Sequence, residues 1–379
     1  MDTVKTSAAP LQAPIRRFDS GKWPVYLALA VLLGGSAGVV SVRADNALYV
    51  LVGLVGLLTF IGSVISAEFG LLLLVFLAYT RFSDIAVHTY GAISVLQVFM
   101  VLQAVAILLR WAVSRRAPTG WLMPTLVLGA YGIAATSSML RASDSSLVLK
   151  ALEIFAKDAV IAVVVVMLLQ RQEAFRRMLW VLIIAGILLA SLSAYQFLTR
   201  TFTNSYGGFA MASLQQIVGQ TNDYRIGGPI GDPNFFAQIL IVIIPIALER
   251  FLHERQTVLR LLALYGALVC VACTLFTYSR GGFLSLAVVM IVFFLVYPPR
   301  ALQIPIFILA VVGVALIIPP NYWDRILSLN QFFQTPGMIR TNDPALRGRA
   351  TENLAAWEMF KGSPLMGVGW GNYTVAYPT

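Results

Sequence analysis

The chain has 379 residues, of which 59% are hydrophobic and only 12% are charged, and its formal net charge is +10. Soluble globular domains are nearer half apolar and a quarter charged, so this composition excludes an ordinary soluble enzyme. Ten or eleven membrane helices of about 20 residues would use roughly 200–220 positions, which is close to the number of hydrophobic residues. The composition therefore predicts a polytopic membrane protein.

Apolar runs, each a candidate membrane span, follow one another along the chain. They predict an all-α fold, a polytopic transmembrane helix bundle of about 11 spans with an outer helical loop. The eleven runs are residues 24–42, 46–67, 69–83, 93–112, 120–140, 148–170, 178–198, 234–250, 258–279, 282–298 and 301–319.

The third run is short, and the sixth carries several charges in its first half. Lys150, Glu153 and Lys157 follow one another there at spacings of three and four residues, so they can pair on one helix face. This pattern favours a solvated interfacial helix. A path for a lipid headgroup is the alternative.

The distribution of basic residues predicts the orientation in the membrane. If the amino terminus is cytoplasmic, clusters such as Arg176–Arg177 fall on the cytoplasmic side, as positively charged loops do. The excess positive charge then reflects topology, and we expect no nucleic-acid partner. The predicted parts are a cytoplasmic tail at 1–22, a transmembrane domain at 23–319 with an outer loop at 199–233, and a further outer loop at 320–379. Isolated arginines remain on the predicted outer side: Arg43, Arg81, Arg141, Arg200, Arg225 and Arg280.

Cys270 and Cys273 form a C-x-x-C pattern inside an apolar run. Redox and metal sites need accessible thiolates, so this position favours two small buried residues on a helix.

The first motif that suggests chemistry is Arg225-Ile-Gly-Gly-Pro-Ile-Gly-Asp-Pro-Asn234, directly before an apolar run. Asp232 followed by Pro233 predicts the start of a helix. The glycines allow a tight turn or a close approach of the backbone to a ligand. Arg225 is costly at a membrane boundary unless it pairs or snorkels. A snorkelling interfacial cation is the alternative to a binding role.

The second motif, Tyr278-Ser-Arg-Gly-Gly282, is a hinge barely long enough to join two helices, and it holds Arg280 at the predicted outer face. A guanidinium presents a fork of donors that suits phosphate or carboxylate. Arg225 and Arg280 at the same predicted depth suggest one shared anionic ligand, such as a lipid diphosphate. The alternative is a residue that serves only topology or packing.

The third motif starts at Arg347-Gly-Arg349, in a predicted amphipathic helix between Pro344 and Phe360. A glycine-rich segment, Ser363-Pro-Leu-Met-Gly-Val-Gly-Trp-Gly-Asn-Tyr373, follows. The glycines are not a nucleotide phosphate-binding loop, because the lysine and the preceding strand are absent from the sequence. A binding role and a lid on the membrane surface are both open.

Together, the segments RIGGPIGDPN, YSRGG and GRATENLAAWEMFKGSPLMGVGWGNY resemble the O-antigen ligase and O-antigen polymerase superfamily of bacterial surface-polysaccharide proteins. The resemblance runs from Arg225 to the end of the chain, and the amino-terminal half matches only in its pattern of spans. It implies a fold similar to C-type membrane glycosyltransferases.

The resemblance also implies an activity. This is an inverting, metal-independent and cofactor-free transfer of a glycan from an undecaprenyl-diphosphate carrier to a glycan or lipid acceptor, outside the bacterial cytoplasmic membrane. Such transfers serve lipopolysaccharide or exopolysaccharide biosynthesis. Arg225 and Arg280 match the arginines that hold the carrier diphosphate, and they are the predicted catalytic residues. The predicted substrate-binding residues are Asp232, Asn234, Gly281, Arg349, Trp357, Gly369 and Asn372.

One departure from the superfamily concerns the general base. Relatives continue past the GVGxGN pattern to a histidine followed by asparagine and to further helices, and neither His88 nor His253 matches that position. We therefore expect the sequence to be a fragment that lacks the base and the closing helices. Otherwise the base is another group, such as one of the outward carboxylates Asp232, Asp343 and Glu352.

Two other classes of protein compete with the glycosyltransferase. A transporter of a small anion or of a lipid-linked glycan should show inverted repeats with broken helices near the bilayer midplane. Here the interruptions lie at the predicted outer boundary, and the two halves do not mirror each other. A scaffold protein would not need arginines at short outer hinges. Ligase and polymerase stay open, because they perform the same chemistry and differ in acceptor.

Overall fold

The computed structural model describes residues 59–63, 65–91, 94–114, 120–169, 172–218, 221–298 and 344–377. The predicted tail at 1–22 and the predicted spans at 24–42 and 301–319 lie outside these residues, as does most of 46–67. The helices are α1 (Ala67–Tyr79), α2 (Phe82–Tyr90), α3 (Val95–Ser114), α4 (Leu122–Ser137), α5 (Ser145–Leu168), α6 (Gln172–Leu198), α7 (Pro233–His253), α8 (Thr257–Phe276), α9 (Arg280–Val296), α10 (Pro344–Gly362) and α11 (Tyr373–Ala376).

Among the described residues, four helices are long and apolar enough to cross a membrane. They are α6, α7, α8, and α4 together with the short 3-10 turn after it (Leu122–Arg141). The bent pair α1 and α2 would make a fifth span. The part Val95–Leu109 of α3 and the whole of α9 are shorter apolar helices. The chain is thus a multi-pass, mainly helical membrane protein, as predicted, and the count of 11 spans stays a prediction.

The short third run is explained by a break in the chain. The α1 helix ends at Tyr79, α2 starts at Phe82, and the two axes differ by 52°. Arg81 lies in the break with a φ of 53°, and its Nε donates to the Asp84 carboxylate. The apolar run therefore continues into a second helix, α2, which the sequence analysis did not predict.

The centre of the bundle is formed by α6, α7 and α8. Ile183 and Leu189 of α6 pack with Phe236, Leu240 and Ile243 of α7, and all five are buried. A Cβ atom at Gly186 would lie 2.3 Å from Cδ1 of Ile243. Glycine there lets α6 and α7 approach closely, and close packing is what holds helices together in lipid.

The two cysteines of α8 belong to this core. Cys270 and Cys273 are fully buried, and the Cys273 thiol donates to the carbonyl of Ala190 at 3.3 Å. The prediction of two small buried residues is confirmed.

One end of the bundle is held by ion pairs. Arg176, in the first turns of α6, binds both carboxylate oxygens of Glu254 at 2.9 and 2.8 Å. Glu254 lies in the turn between α7 and α8, and Arg177 binds Glu68 of α1 at 2.8 Å. These bonds connect α6 to α1 and to the turn between α7 and α8, at what we call the basic end.

At the opposite end, the loop 199–233 contains strands that the sequence analysis did not predict. Strands β1 (Met211–Val218) and β2 (Thr221–Gly228) pair antiparallel, with Ser213 opposite Arg225. The side chain of Gln196 donates to the carbonyls of Asn204 and Ala210, both at 2.7 Å, and so fixes the segment before β1. Ile226 of β2 is buried in the central core, which seats the hairpin on the helix ends.

Candidate functional site at the hairpin end

Arg225 lies on β2 and is only 4% exposed. Its Nε donates to the carbonyl of Thr277 at 2.9 Å, and one terminal nitrogen donates to Oδ1 of Asn234 at 3.3 Å. Thr277 directly follows α8, and Asn234 is the second residue of α7. The guanidinium therefore connects the hairpin to the ends of two central helices.

The glycines after Arg225 make this arrangement possible. A Cβ atom at Gly227 would lie 2.4 Å from the carbonyl carbon of Gly231, so that turn has no room for a side chain. Gly228 has a φ of 56°, and a Cβ there would meet the Phe236 ring at 2.5 Å. Of the two interpretations open from the sequence, the structure shows the tight turn.

The start of α7 is as the sequence predicted. Oδ1 of Asp232 accepts the backbone N–H groups of Asn234 and Phe235, at 2.7 and 3.1 Å, and Pro233 is the first helical residue. This capping fixes the position of Asn234.

The hinge between α8 and α9 consists of Thr277, Tyr278 and Ser279. Ser279 caps α9, because its Oγ accepts the N–H of Gly282 at 3.1 Å, and the same hydroxyl donates to Oδ1 of Asn234 at 2.8 Å. A Cβ at Gly282 would lie 2.8 Å from that of Ala237. The first turns of α7 and α9 are therefore in contact.

Arg280 is the first residue of α9 and is half-buried. It follows Ser279, whose hydroxyl shares the Asn234 oxygen with Arg225. The backbone of Arg280 therefore lies next to Ser279 and Asn234, and Asn234 is one of the residues that position Arg225. The N-termini of α7 and α9 meet there, and helix N-termini favour anions. We call Arg225, Asn234, Thr277, Ser279 and Arg280 the arginine cluster.

Gly281 is exposed, and no atom from another described part of the chain lies within 4 Å of where its Cβ would be. The surface beside Arg280 is therefore open.

Arg349 and Trp357 lie on α10. Both are exposed, and the Trp357 ring stacks on Phe360 with centroids 5.4 Å apart. The predicted helix between Pro344 and Phe360 is confirmed, and it ends at Gly362. The predicted binding roles of Arg349 and Trp357 stay predictions.

Asn372 is fully buried, and its side-chain amide makes two hydrogen bonds to the backbone of Asp144. Its Oδ1 accepts the Asp144 N–H at 2.7 Å, and its Nδ2 donates to the Asp144 carbonyl at 2.9 Å. Gly369 has a φ of 102°, and a Cβ there would lie 2.6 Å from that of Ala142. These contacts dock the glycine-rich segment on the turn before α5. The predicted roles of Asn372 and Gly369 in substrate binding stay predictions beside this structural role.

The turn that receives Asn372 carries a fixed charge. Hydrogen bonds from the hydroxyl and the backbone N–H of Ser146 hold the pKa of the Asp144 carboxyl below its usual range. The ionised carboxylate caps α5, which stabilises the docking turn.

Comparison with known proteins finds a matching family model for the carboxy-terminal part of the chain. Residues 265–379 match the family model described as O-antigen ligase. The match supports the O-antigen ligase and polymerase superfamily, and it confirms the resemblance seen in the sequence for this part of the chain. No curated protein and no solved structure matches the chain.

The O-antigen ligase match covers less than a third of the chain. It includes Arg280, Arg349, Trp357, Gly369 and Asn372, and it begins after the Arg225–Asn234 motif. The hydrogen bonds of Arg225 to Thr277, and of Ser279 to Asn234, connect this motif to the matched segment.

Sequence reasoning missed two members of the arginine cluster. Thr277 contributes a backbone carbonyl, for which side-chain identity gives no signal. Ser279 could have been found, because a serine at the start of an apolar helix is a common N-cap. Within the described ranges, no three His, Cys, Asp or Glu side chains gather as metal ligands would.

Proposed function

We propose that this protein is a membrane glycosyltransferase of the O-antigen ligase and polymerase type. It would transfer or polymerise a polysaccharide from an undecaprenyl-diphosphate carrier to an acceptor glycan. The hairpin end, with the loops 199–233 and 320–379, would face outward from the bacterial cytoplasmic membrane, and the basic end would face the cytoplasm. The observation that carries the proposal is the arginine cluster at the meeting point of two helix N-termini.

The chemistry of the transfer fits this arrangement. The acceptor oxygen forms a bond to the anomeric carbon while the bond from that carbon to the diphosphate oxygen breaks, with inversion. Negative charge therefore grows on the leaving diphosphate. Positive groups that are already positioned stabilise that state more than the ground state. Arg225 and Arg280 would supply this stabilisation without a metal ion.

The acceptor hydroxyl must also lose its proton to a base. Of the three carboxylates named from the sequence, Asp343 lies outside the described residues. Asp232 serves as the cap of α7 through its Oδ1. Glu352 is exposed on α10, the helix that carries Arg349. Both carboxylates are exposed, so both stay candidates for the base.

The transporter alternative has less support in the structure. The break between α1 and α2 is the feature that a transporter would use. The Tyr79 hydroxyl at this break donates to the carbonyl of Ile239, in the second turn of α7. The break therefore lies near the hairpin end rather than halfway along the central helices.

The test is glycan transfer in membranes that contain the Arg280→Ala variant. We expect transfer from an undecaprenyl-diphosphate-linked oligosaccharide to fall about 10²–10³-fold, as when one transition-state donor is removed. Arg280→Lys should recover only part of the rate, because an ammonium lacks the guanidinium fork. Arg225→Ala should act in the same direction.

The matched control is Arg200→Ala. Arg200 lies at the same end of the bundle, with its guanidinium 5.1 Å from the Phe197 ring centroid. This variant should transfer glycan at a rate close to that of the unmodified protein. Full transfer by Arg280→Ala, with normal insertion in the membrane, would contradict the proposal.

A further inference from the structure

Three charged side chains of α5 form a surface feature that the proposed function does not use. Lys150, Glu153 and Lys157 follow one another at spacings of three and four residues, and the Lys157 ammonium donates to the Glu153 carboxylate at 2.6 Å. The side chains of Lys157 and Glu153 are 41% and 66% exposed, and Lys150 is exposed as well. We call these three residues the charged stripe.

The contact between α4 and α5 sets the level of the charged stripe along the bundle. The Tyr131 ring of α4 packs on the Phe155 ring of α5 with centroids 5.3 Å apart, and the Trp370 ring contacts both, at 6.0 and 5.6 Å. Tyr131 lies ten residues before Arg141, and Phe155 lies ten residues after Ser145, on the two sides of the short turn that joins these helices. The two helices therefore run antiparallel, with these two rings at the same level.

This level is near the middle of the bilayer. The segment Leu122–Arg141 is long and apolar enough to cross a membrane, and Tyr131 is halfway along it. Glu153 and Lys157 are each two residues from Phe155, which is about 3 Å along a helix. A solvated interfacial helix, which the sequence pattern favours, would require half of the apolar α4 segment to leave the membrane together with the charged stripe.

The charged stripe points away from the bundle. With about 3.6 residues per turn, all three of its residues fall on the side of α5 opposite Phe155, the ring that contacts α4. Apolar neighbours of the stripe are also open, because Ile154 and Val160 are 54% and 48% exposed. An exposed apolar surface at this depth faces lipid. The stripe therefore places charges against hydrocarbon, where ionisable groups are costly and are usually paired with one another.

The order of charges along the stripe is complementary to a second copy of the same helix. In a dimer whose two-fold axis lies along the membrane normal, the two α5 helices run in the same direction, and equal residues lie at equal depth. Glu153 has Lys157 on one side, in its own helix. On the other side lies Lys150, which forms no ion pair with a described residue. The two-fold axis can bring Lys150 of each copy to Glu153 of the other, so that two interchain pairs form together.

A phospholipid headgroup is the other partner that carries both charges, and the depth of the stripe disfavours it. Glu153 and Lys157 lie about 12 and 18 Å along α5 from Ser145, at a rise of about 1.5 Å per residue. A headgroup would have to leave the interface and descend through about half of the hydrocarbon core, which is about 30 Å thick. A second copy carries its charges at the required depth already.

We propose that the charged stripe of α5 is the interface of a two-fold dimer of this chain in the membrane. Lys150 of each copy pairs with Glu153 of the other, and each Glu153 carboxylate also keeps Lys157 of its own helix. Polar side chains that bond across helices hold membrane helices together in this way. The inference does not depend on the proposed function, because it uses neither the arginine cluster nor a glycan.

The experiment counts copies of the full chain in phospholipid vesicles at low protein density. Each chain carries one fluorescent label, and the number of photobleaching steps per spot gives the fraction of dimers. We expect two steps for the unmodified chain. Glu153→Lys should raise the dimer dissociation constant about tenfold or more, because like charges replace both interchain pairs.

Two further single variants keep this test decisive. Lys150→Met removes only the cation that has no ion pair within the described part of its own chain, so it is the milder change if Glu153→Lys does not insert in the membrane, and it should also weaken the dimer. Glu358→Lys is the matched control. Glu358 pairs with Lys361 on α10, outside the stripe, so this variant should dimerise like the unmodified chain.

Reversal of the whole stripe tests whether the partner is a second copy. The triple variant Lys150→Glu, Glu153→Lys and Lys157→Glu inverts every charge and keeps the alternating order. It should dimerise with itself as well as the unmodified chain does. It should not pair with the unmodified chain, because the facing charges then have the same sign, and labels of two colours measure such mixed dimers.

The outcomes decide between a dimer interface and a lipid contact. Single photobleaching steps for the unmodified chain would overturn the inference and leave the stripe to phospholipid headgroups. Dimers that persist unchanged in both Glu153→Lys and Lys150→Met would also overturn it, as would mixed dimers of reversed and unmodified chains. Arg280→Ala should dimerise normally whether or not it transfers glycan, so failure of the proposed function and failure of the dimer are observed separately.

Discussion

At the scale of single residues, Arg225 shows how the hairpin end is built. Its guanidinium binds the Thr277 carbonyl and the Asn234 side chain, and each of these is fixed by its own helix end. A charged group that neighbouring elements hold in place needs no reorganisation when charge develops near it. The cluster could thus act on an anion in its resting geometry.

Two glycines beside the arginine cluster, Gly227 and Gly281, allow a test that separates structural from binding roles. Gly227→Ala forces a Cβ to within 2.4 Å of backbone at Gly231, and we expect it to destabilise the protein by about 1–3 kcal/mol, as overpacking does. Gly281→Ala meets open space and should leave stability unchanged or slightly raised, since alanine suits a helix better. Thermal unfolding in detergent measures both.

Transfer activity completes this comparison. If Gly281 borders the bound donor, Gly281→Ala lowers transfer while the unfolding midpoint stays the same. Equal midpoints for Gly227→Ala and the unmodified protein would show that the Gly227–Gly231 contact is relaxed at no cost.

At the scale of secondary-structure elements, the sequence predicted those features that depend on residues close together in the chain. The Asp232–Pro233 start of α7 and the short hinge between α8 and α9 were foreseen, because capping residues act within one turn. The hairpin was not, because β1 and β2 are rich in small and polar residues that do not alternate clearly with apolar ones. Their pairing depends on the helix ends beneath them.

The docking of the glycine-rich segment could not be predicted for a different reason. Asn372 binds Asp144, which lies 228 positions earlier in the chain. Spacing along a sequence carries no information about such a contact. Asn372, a predicted substrate-binding residue, is in the structure also an anchor between two segments.

Asn372→Ala should therefore loosen the carboxy-terminal segment. It removes partners from a backbone N–H and a carbonyl of Asp144, and we expect a loss of about 1–3 kcal/mol, because these groups become unsatisfied. Limited proteolysis should cut residues 363–377 faster, and α10 should become more accessible.

Tyr373→Phe is the matched control for this prediction. It deletes only the bond from an exposed hydroxyl to the Glu352 carbonyl, at 2.8 Å. Proteolysis should stay near the unmodified rate. Identical proteolysis of Asn372→Ala would mean that the aromatic contacts of Trp370 hold the segment without Asn372.

At the scale of the whole molecule, the two ends of the bundle differ in kind. At the hairpin end, Arg225 donates to two neutral oxygens beside the N-termini of two helices, whereas at the basic end Arg176 and Arg177 donate to carboxylates. The first arrangement suits an anionic ligand, and the second suits stability. This difference predicts that acid weakens the basic end.

The ion pair of Glu254 should make stability depend on pH. The side chain is only 3% exposed, and the hydrogen bonds from Arg176 hold its pKa below the usual range. A lowered folded-state pKa stabilises the protein above the unfolded value of about 4.3, and this contribution is lost as pH falls through the folded value. The unfolding midpoint in detergent should therefore drop more steeply below about pH 4.3 than that of a Glu254→Gln variant.

Glu254→Gln should also lower stability near neutral pH by roughly 1–3 kcal/mol, because it loses a charged pair of hydrogen bonds. Glu358→Gln provides the comparison. Glu358 pairs with Lys361 on an exposed face of α10, and such pairs contribute little, so both its stability and its pH profile should match the unmodified protein. Parallel pH profiles for all three proteins would show that the bundle does not depend on the Arg176–Glu254 pair, and that core packing between α6, α7 and α8 holds the basic end alone.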